Sequence, residues 1–388
     1  MRVVVNALSA RLGGGQTYLK NLLSHLPAAD DLDVLVFAPE SLALPQDARI
    51  RRGKPRWPTS NPLLRSIWER LALPGILRRE RADLLFCPGG LISTRPPPGC
   101  RTATMFRNMT PFDTRARASV PLGLQRIRLW MLEHLMLESM AKADLTIFIS
   151  EFARGVIECR ITLRQARTIP HGISPAFRTV GRPLARPAKL PPGDCLLYVS
   201  KFDSYKHQLE VVHGFSMLPR ELQRRHPLVL IGEMDHASAR LVLAARDGQC
   251  EPGTVHLLGP IPYAELPAFY AHASAFVFAS SCENCPNILL EALGSGRPVL
   301  SSNVMPMPEF GGPSIEYFSP FDPADIARAL RRVLDDPVHA RAVGAAALQE
   351  SLRYDWATSA ARTWAELRRL VRGDHLGAAE PAPSARTS

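Results

Sequence analysis

The feature that most restricts the fold is an alternation of short apolar runs with helical patterns, repeated twice and interrupted once by a Pro- and Arg-rich stretch. Parallel strands need long crossover connections and are covered on both faces, so they appear as brief apolar runs with helices between them. In the first half, residues 3–8, 34–38, 84–87, 102–106 and 145–149 fit strands, and 17–26 has helical periodicity behind Gly13, Gly14 and Gly15. From about 174 to 194 the pattern dissolves. A second set of strands follows at 195–200, 228–231, 255–258, 275–279 and 298–301, with helical patterns at 208–218, 237–245, 263–273 and 288–294. The expectation is an α/β chain of two tandem Rossmann-like domains facing across a cleft, with ligands beyond the carboxyl ends of the strands. A last helix is expected from about 355 to 373, and the Gly-, Ala-, Pro- and Ser-rich residues 374–388 read as a disordered tail.

A chain of 388 residues exceeds what one hydrophobic core usually organises. It has no uninterrupted apolar stretch of about 18 residues. The N-terminus runs directly into a strand too short for a signal-peptide core, so the expected location is cytoplasmic. Seven scattered cysteines do not make a disulfide framework. Cys282 and Cys285 have CxxC spacing, but no second pair accompanies them, which favours an ordinary loop over a zinc or redox site.

Charge is uneven. Residues 1–189 hold 29 Lys and Arg against 14 Asp and Glu, and the remainder holds 18 against 22. No nucleic-acid-binding signature accompanies the basic half. Two basic segments, 49–81 and 115–142, interleave Arg with Trp, Leu, Ile and Met. Such segments suit either an anionic membrane surface, on the inner face, or packing against a sheet.

Two stretches carry candidate chemistry. In the first, Glu283 follows a buried strand and Glu291 stands eight residues later inside a helix. The connection through Asn284, Cys285, Pro286, Asn287 and Ile288 opens the N-terminus of that helix, an anion-binding geometry. Carboxylates beside it would accept hydrogen bonds from sugar or ribose hydroxyls. In the second, a strand ends at Lys201 and Lys206. Only six lysines occur against 41 arginines, and two of the six stand here. Lysine is a compact point charge suited to phosphate oxygens. A solvated surface loop is the plain alternative.

The spacing of Glu283 and Glu291, the Lys201–Lys206 pair, the run Gly294-Ser295-Gly296-Arg297-Pro298-Val299, the segments Ser150-Glu151-Phe152 and Ile169-Pro170-His171-Gly172-Ile173, and the Gly13–Gly15 loop occur in the order found in glycosyltransferase family 4. The chain resembles that family over nearly its whole length. The resemblance implies a GT-B fold: residues 1–175 as acceptor domain, 176–194 as linker, 195–354 as nucleotide-sugar domain, and the last helix crossing back to the N-terminal domain. It implies a retaining transfer from a nucleoside diphosphate sugar to an acceptor hydroxyl in polysaccharide or glycolipid assembly, without metal or cofactor. Glu283 would touch the donor sugar, Glu291 the ribose, and Lys201 and Lys206 the diphosphate, with Gly14 and Gly15 admitting it closely. The base would lie near Gly232 and the Gly259, Pro260, Ile261 turn. Arg107, followed by Asn108, occupies a slot where a histidine is usual, and Asn284 replaces the usual glycine. Asp31 and Asp33 have a metal-binding spacing but stand in a polar turn. The alternatives are a nucleotide-sugar epimerase or hydrolase, using Glu283, Asp113 or His171 as acid or base, and a catalytically silent binding protein.

Overall fold

A computed structural model describes residues 1–374 apart from 12, 29, 30, 56, 58, 121, 122, 235 and 314. The segment 375–388, which holds nearly all of the expected tail, lies outside the described residues.

Among the described residues, thirteen strands form two sheets. In the first sheet β1 (Arg2–Asn6), β2 (Asp33–Phe37), β3 (Ile50–Arg52), β4 (Leu84–Cys87), β5 (Arg101–Phe106), β6 (Leu145–Phe148) and β7 (Ala166–Thr168) stand in the order β3-β2-β1-β4-β5-β6-β7. In the second, β8 (Leu196–Val199), β9 (Leu228–Ile231), β10 (Val255–Gly259), β11 (Ala275–Phe278), β12 (Val299–Ser302) and β13 (Glu316–Phe318) stand in the order β10-β9-β8-β11-β12-β13. Pairing is parallel, as where Val4 lies beside Leu35 and Phe276 beside Val299. Both orders step outward from the first strand and then reverse, the doubly wound pattern. Central strands such as Leu-Leu-Phe-Cys of β4 and Leu-Leu-Tyr-Val of β8 are buried at every residue, because helices cover both faces.

Contacts group the chain into two compact units. One holds Met1–Thr104, Ala143–Leu145 and the chain from Ala360 onward; the other holds Met105–Lys142 and Thr146–Ser359. In the first unit Val4, Leu35, Phe37, Trp68, Leu77 and Leu85 share one core. The helix Trp356–Arg372 contributes to each unit in turn. Ser359 donates to the Pro170 carbonyl in the second, and Trp364, buried in the first, donates to Leu22 O at 3.0 Å. No helix among the described residues is long and apolar enough to cross a membrane.

Candidate active site

The second unit gathers the charged candidates at the carboxyl ends of β8 and β11. Beyond β8 the chain passes the exposed Lys201 and turns through a short 3-10 helix, Ser204–Lys206, capped by Asp203. Lys206 is buried, and its ammonium is bonded to Glu283 Oε1. The ammonium also stands over the Tyr205 and Phe278 rings, 5.2 and 5.5 Å from their centroids. Neighbouring bonds fix the two loops together. Ser281 N–H donates to Tyr205 O at 2.8 Å, and His207 Nε2 meets Ser281 Oγ at 2.8 Å. His207 keeps a left-handed backbone (φ 54°), a costly state for a residue with a side chain, which these contacts hold in place. The pair is partly buried, so taking its two charges out of water has a cost that their mutual contact offsets.

Asn284 does not point to open space. Buried, it accepts from Ser150 Oγ at 3.1 Å and donates from Nδ2 to Phe106 O at 3.2 Å. It thereby joins the Glu283 loop to the end of β5, where Arg107 follows, and to the cap of the helix Glu151–Glu158. That helix is doubly capped. Ser150 Oγ accepts from Ala153 N–H, and the Glu309 carboxylate accepts from Glu151 and Phe152 N–H at 2.7 and 2.9 Å. Burial raises the Glu309 carboxyl above its ordinary range, and the two backbone donors oppose that.

At the start of the helix Asn287–Gly294, His171 Nδ1 lies 2.9 Å from Asn287 Oδ1. Burial pushes the imidazole down to about 3, and the Arg107 charge adds to the effect. The ring is therefore neutral at physiological pH, and Arg107 supplies the fixed positive charge beside it. Deeper in the same helix, Glu291 accepts from Tyr263 OH at 2.7 Å. Burial raises its carboxyl to about 7, with hydrogen bonds from Tyr263 and Tyr270 pulling the other way. Phe177 packs on both tyrosine rings, 5.2 and 4.9 Å from their centroids.

Gly232 is required by space. A Cβ there would lie 1.9 Å from Ser200 O, where β8 and β9 end side by side. Gly259 is required by its left-handed backbone (φ 71°), which turns the chain into Pro260 and Ile261. Thus Lys201, Lys206, Gly232, Gly259, Glu283, Glu291 and Arg107 all lie in the second unit, at strand ends or on the helix that follows. Asn108 is exposed and accepts from Thr110 N–H. Gly14 and Gly15 open the first helix of the other unit, Gly14–Ser24. Asp113 caps the helix Thr114–Ser119 through Ala116 N–H. The Cys282 and Cys285 thiols are buried and unbridged, and burial pushes both far up. No group of three or more metal-ligating side chains occurs among the described residues. Sequence reasoning did not find Tyr263, Glu309 or the Ser150 contact, whose partners are distant in the chain.

Residues 12–177 match the family model described as Glycosyltransferase Family 4, and residues 193–336 match that of Glycosyl transferases group 1. The chain belongs to glycosyltransferase family 4. Among curated relatives, the serotype-specific mannosyltransferase WbdA of Escherichia coli is 30% identical over 170 residues, 44% of this chain and 21% of that protein. The chain thus covers about a fifth of the length of that relative. The O-antigen chain mannosyltransferase B of Escherichia coli is 25% identical over 263 residues, 66% of this chain and 69% of the relative. Among solved structures, sucrose-phosphate synthase from Thermosynechococcus elongatus superposes with a TM-score of 0.74 over 96% of this chain and 100% of its own, at 18% identity. That likeness is one of fold: two parallel-sheet Rossmann-like α/β domains, as in GT-B transferases.

Proposed function

We propose that the protein is a retaining glycosyltransferase that moves a sugar from a nucleoside diphosphate to an acceptor hydroxyl, in polysaccharide or glycolipid assembly. The observation that carries this is the Lys206–Glu283 pair. A cation for a diphosphate and a carboxylate for sugar hydroxyls are held in one partly buried contact, beside the N-terminus of the helix Asn287–Gly294. In the reaction the bond from C1 to the diphosphate oxygen breaks and a bond from C1 to the acceptor oxygen forms. The acceptor proton passes to the departing diphosphate, so no nucleophile from the protein is needed. Lys201, Lys206 and the helix amides stabilise the negative charge that grows on the leaving group. Arg107 adds positive charge, and Glu291 is suited to the ribose. The neutral His171 does not favour an acid–base epimerisation. The enzyme needs no metal in this reading, and it works on a lipid-linked or polysaccharide acceptor at the inner membrane face. That location rests on the basic N-terminal segments.

A thermal-shift panel of nucleoside diphosphates and their sugars without metal, on wild type and Lys206→Ala, tests the donor site. A ligand at a hundredfold its dissociation constant adds about 2.7 kcal/mol. One nucleotide should stabilise the wild type and leave the variant unmoved. No shift with any of them would sink the transferase reading and leave a catalytically silent binding protein.

A further inference from the structure

The helix Pro62–Leu71 in the first unit has two unlike faces. Its inner face buries Trp68 against Phe37, ring centroids 5.1 Å apart, and presents Glu69 to the end of β1. There Asn6 Nδ2 donates to Glu69 Oε1 at 2.9 Å, and Arg65 Nε stands 3.9 Å from the same oxygen. The outer face carries Leu63, Leu64, Ile67 and Leu71, with Leu63 and Leu71 74% and 69% exposed. Helical bonding continues across Ala72, from Ala72 N–H to Trp68 O and from Ile76 N–H to Ala72 O. The register therefore runs on into the helix Leu73–Arg79, and Arg78 falls two turns beyond Leu71 on the same row. Arg70, Arg78 and Arg79 are exposed. Glu69, the one carboxylate between Pro62 and Arg79, is turned inward.

We propose that this face docks on a membrane surface rich in anionic lipid. An apolar row edged by guanidinium groups, with no exposed carboxylate, matches acyl chains beneath phosphate headgroups. A second copy is a poor occupant. Twofold pairing would set Arg70 and Arg78 against the same residues of the second copy, and the next acid along the chain, Glu80, is already engaged by Arg79 and Arg51. The wider segment 49–81 holds ten Arg and Lys against two Glu, which adds long-range attraction. The two faces belong to one rigid element, so docking places the carboxyl end of β1, held through Asn6 and Glu69, near the headgroups. This step, delivery of a lipid-borne acceptor to that edge, rests on the transferase reading; the docking itself does not.

The test is co-sedimentation of the full chain with vesicles of equal phosphatidylglycerol and phosphatidylcholine, and with phosphatidylcholine alone. The variants are Leu63→Gln/Leu71→Gln, Arg70→Gln/Arg78→Gln and, as a comparator, Ile127→Gln/Met131→Gln on the exposed side of the helix Leu124–Lys142. All six side chains are exposed, so the fold should survive. Wild type should bind only the anionic vesicles, and each of the first two variants should bind at least about tenfold more weakly. No binding by wild type, or wild-type binding by either of those two, overturns the proposal. So does a loss confined to the comparator, which would assign the contact to the other helix. So does a wild-type dimer in light scattering that Leu63→Gln/Leu71→Gln abolishes, which would show a second copy on this face. Vesicle binding without any nucleotide-induced thermal shift would uphold docking and reject the transferase reading.

Discussion

Glu283 and Glu291 stand eight residues apart, and folding brings each a different partner. Glu283 meets the Lys206 ammonium; Glu291 is buried and accepts from the Tyr263 phenol. The carboxyl of Glu291 ionises near 4.5 in an open chain and near 7 in the folded one. Between those values the unfolded state has released its proton and the native state has kept it, so stability falls as pH rises through the window. The contribution is complete below about 4.5 and spent above about 7, on the order of 3 kcal/mol in all. Glu291→Gln keeps an acceptor for Tyr263 and removes the titration. Its melting temperature, relative to wild type, should therefore climb by several degrees between pH 5 and pH 8. Parallel melting curves across that range would show that Glu291 is already ionised in the native protein.

The loop between β11 and the helix Asn287–Gly294 is set by Asn284. Its two bonds, to Ser150 Oγ and Phe106 O, satisfy groups that are otherwise buried. Asn284→Ala leaves the Phe106 carbonyl unpaired at a cost of about 1–3 kcal/mol. Hydrogen exchange should quicken through 280–286, and the nucleotide-induced thermal shift should shrink as Glu283 and the helix amides lose register. Unchanged exchange in that loop would mean that the bonds of Ser281 and His207 hold it without Asn284. The elements themselves were legible to different degrees. Buried central strands announced themselves as apolar runs, and β4 and β9 lie where the pattern put them. The strands β3, β7 and β13 did not, because each is a three-residue edge strand, Ile-Arg-Arg, Ala-Arg-Thr and Glu-Tyr-Phe, without an apolar run. The site divided similarly. The spacing of Glu283 and Glu291 and the scarcity of lysine marked the charged groups. Their partners were silent, because Tyr263 is 28 residues from Glu291 and Asn284 is 134 from Ser150. The neutrality of His171 comes from burial that no local pattern encodes.

For the molecule as a whole, the order of the chain and the order of its units differ. The basic half ends near residue 189, yet Met105–Lys142 and the chain from Thr146 belong with the later sequence, and the chain from Ala360 onward belongs with the beginning. From Ala360 onward the last helix is therefore a structural part of the first unit. Trp364 is 1% exposed there, its indole N–H held by Leu22 O in the helix Gly14–Ser24, and Leu367 is buried beside it in sequence. Trp364→Ala removes a large buried side chain and should cost about 3–5 kcal/mol, whereas Trp364→Phe keeps most of the volume and loses chiefly the hydrogen bond, about 1 kcal/mol. Because two units need not unfold together, hydrogen exchange resolved by segment is the suitable readout. Exchange in Gly14–Ser24 and β1 should accelerate in Trp364→Ala, while β8, β9 and β11 retain their protection and the nucleotide-induced thermal shift persists. An equal loss in both sheets would show instead that the last helix couples the unfolding of the two units, so that damage at residue 364 reaches the loop of Glu283.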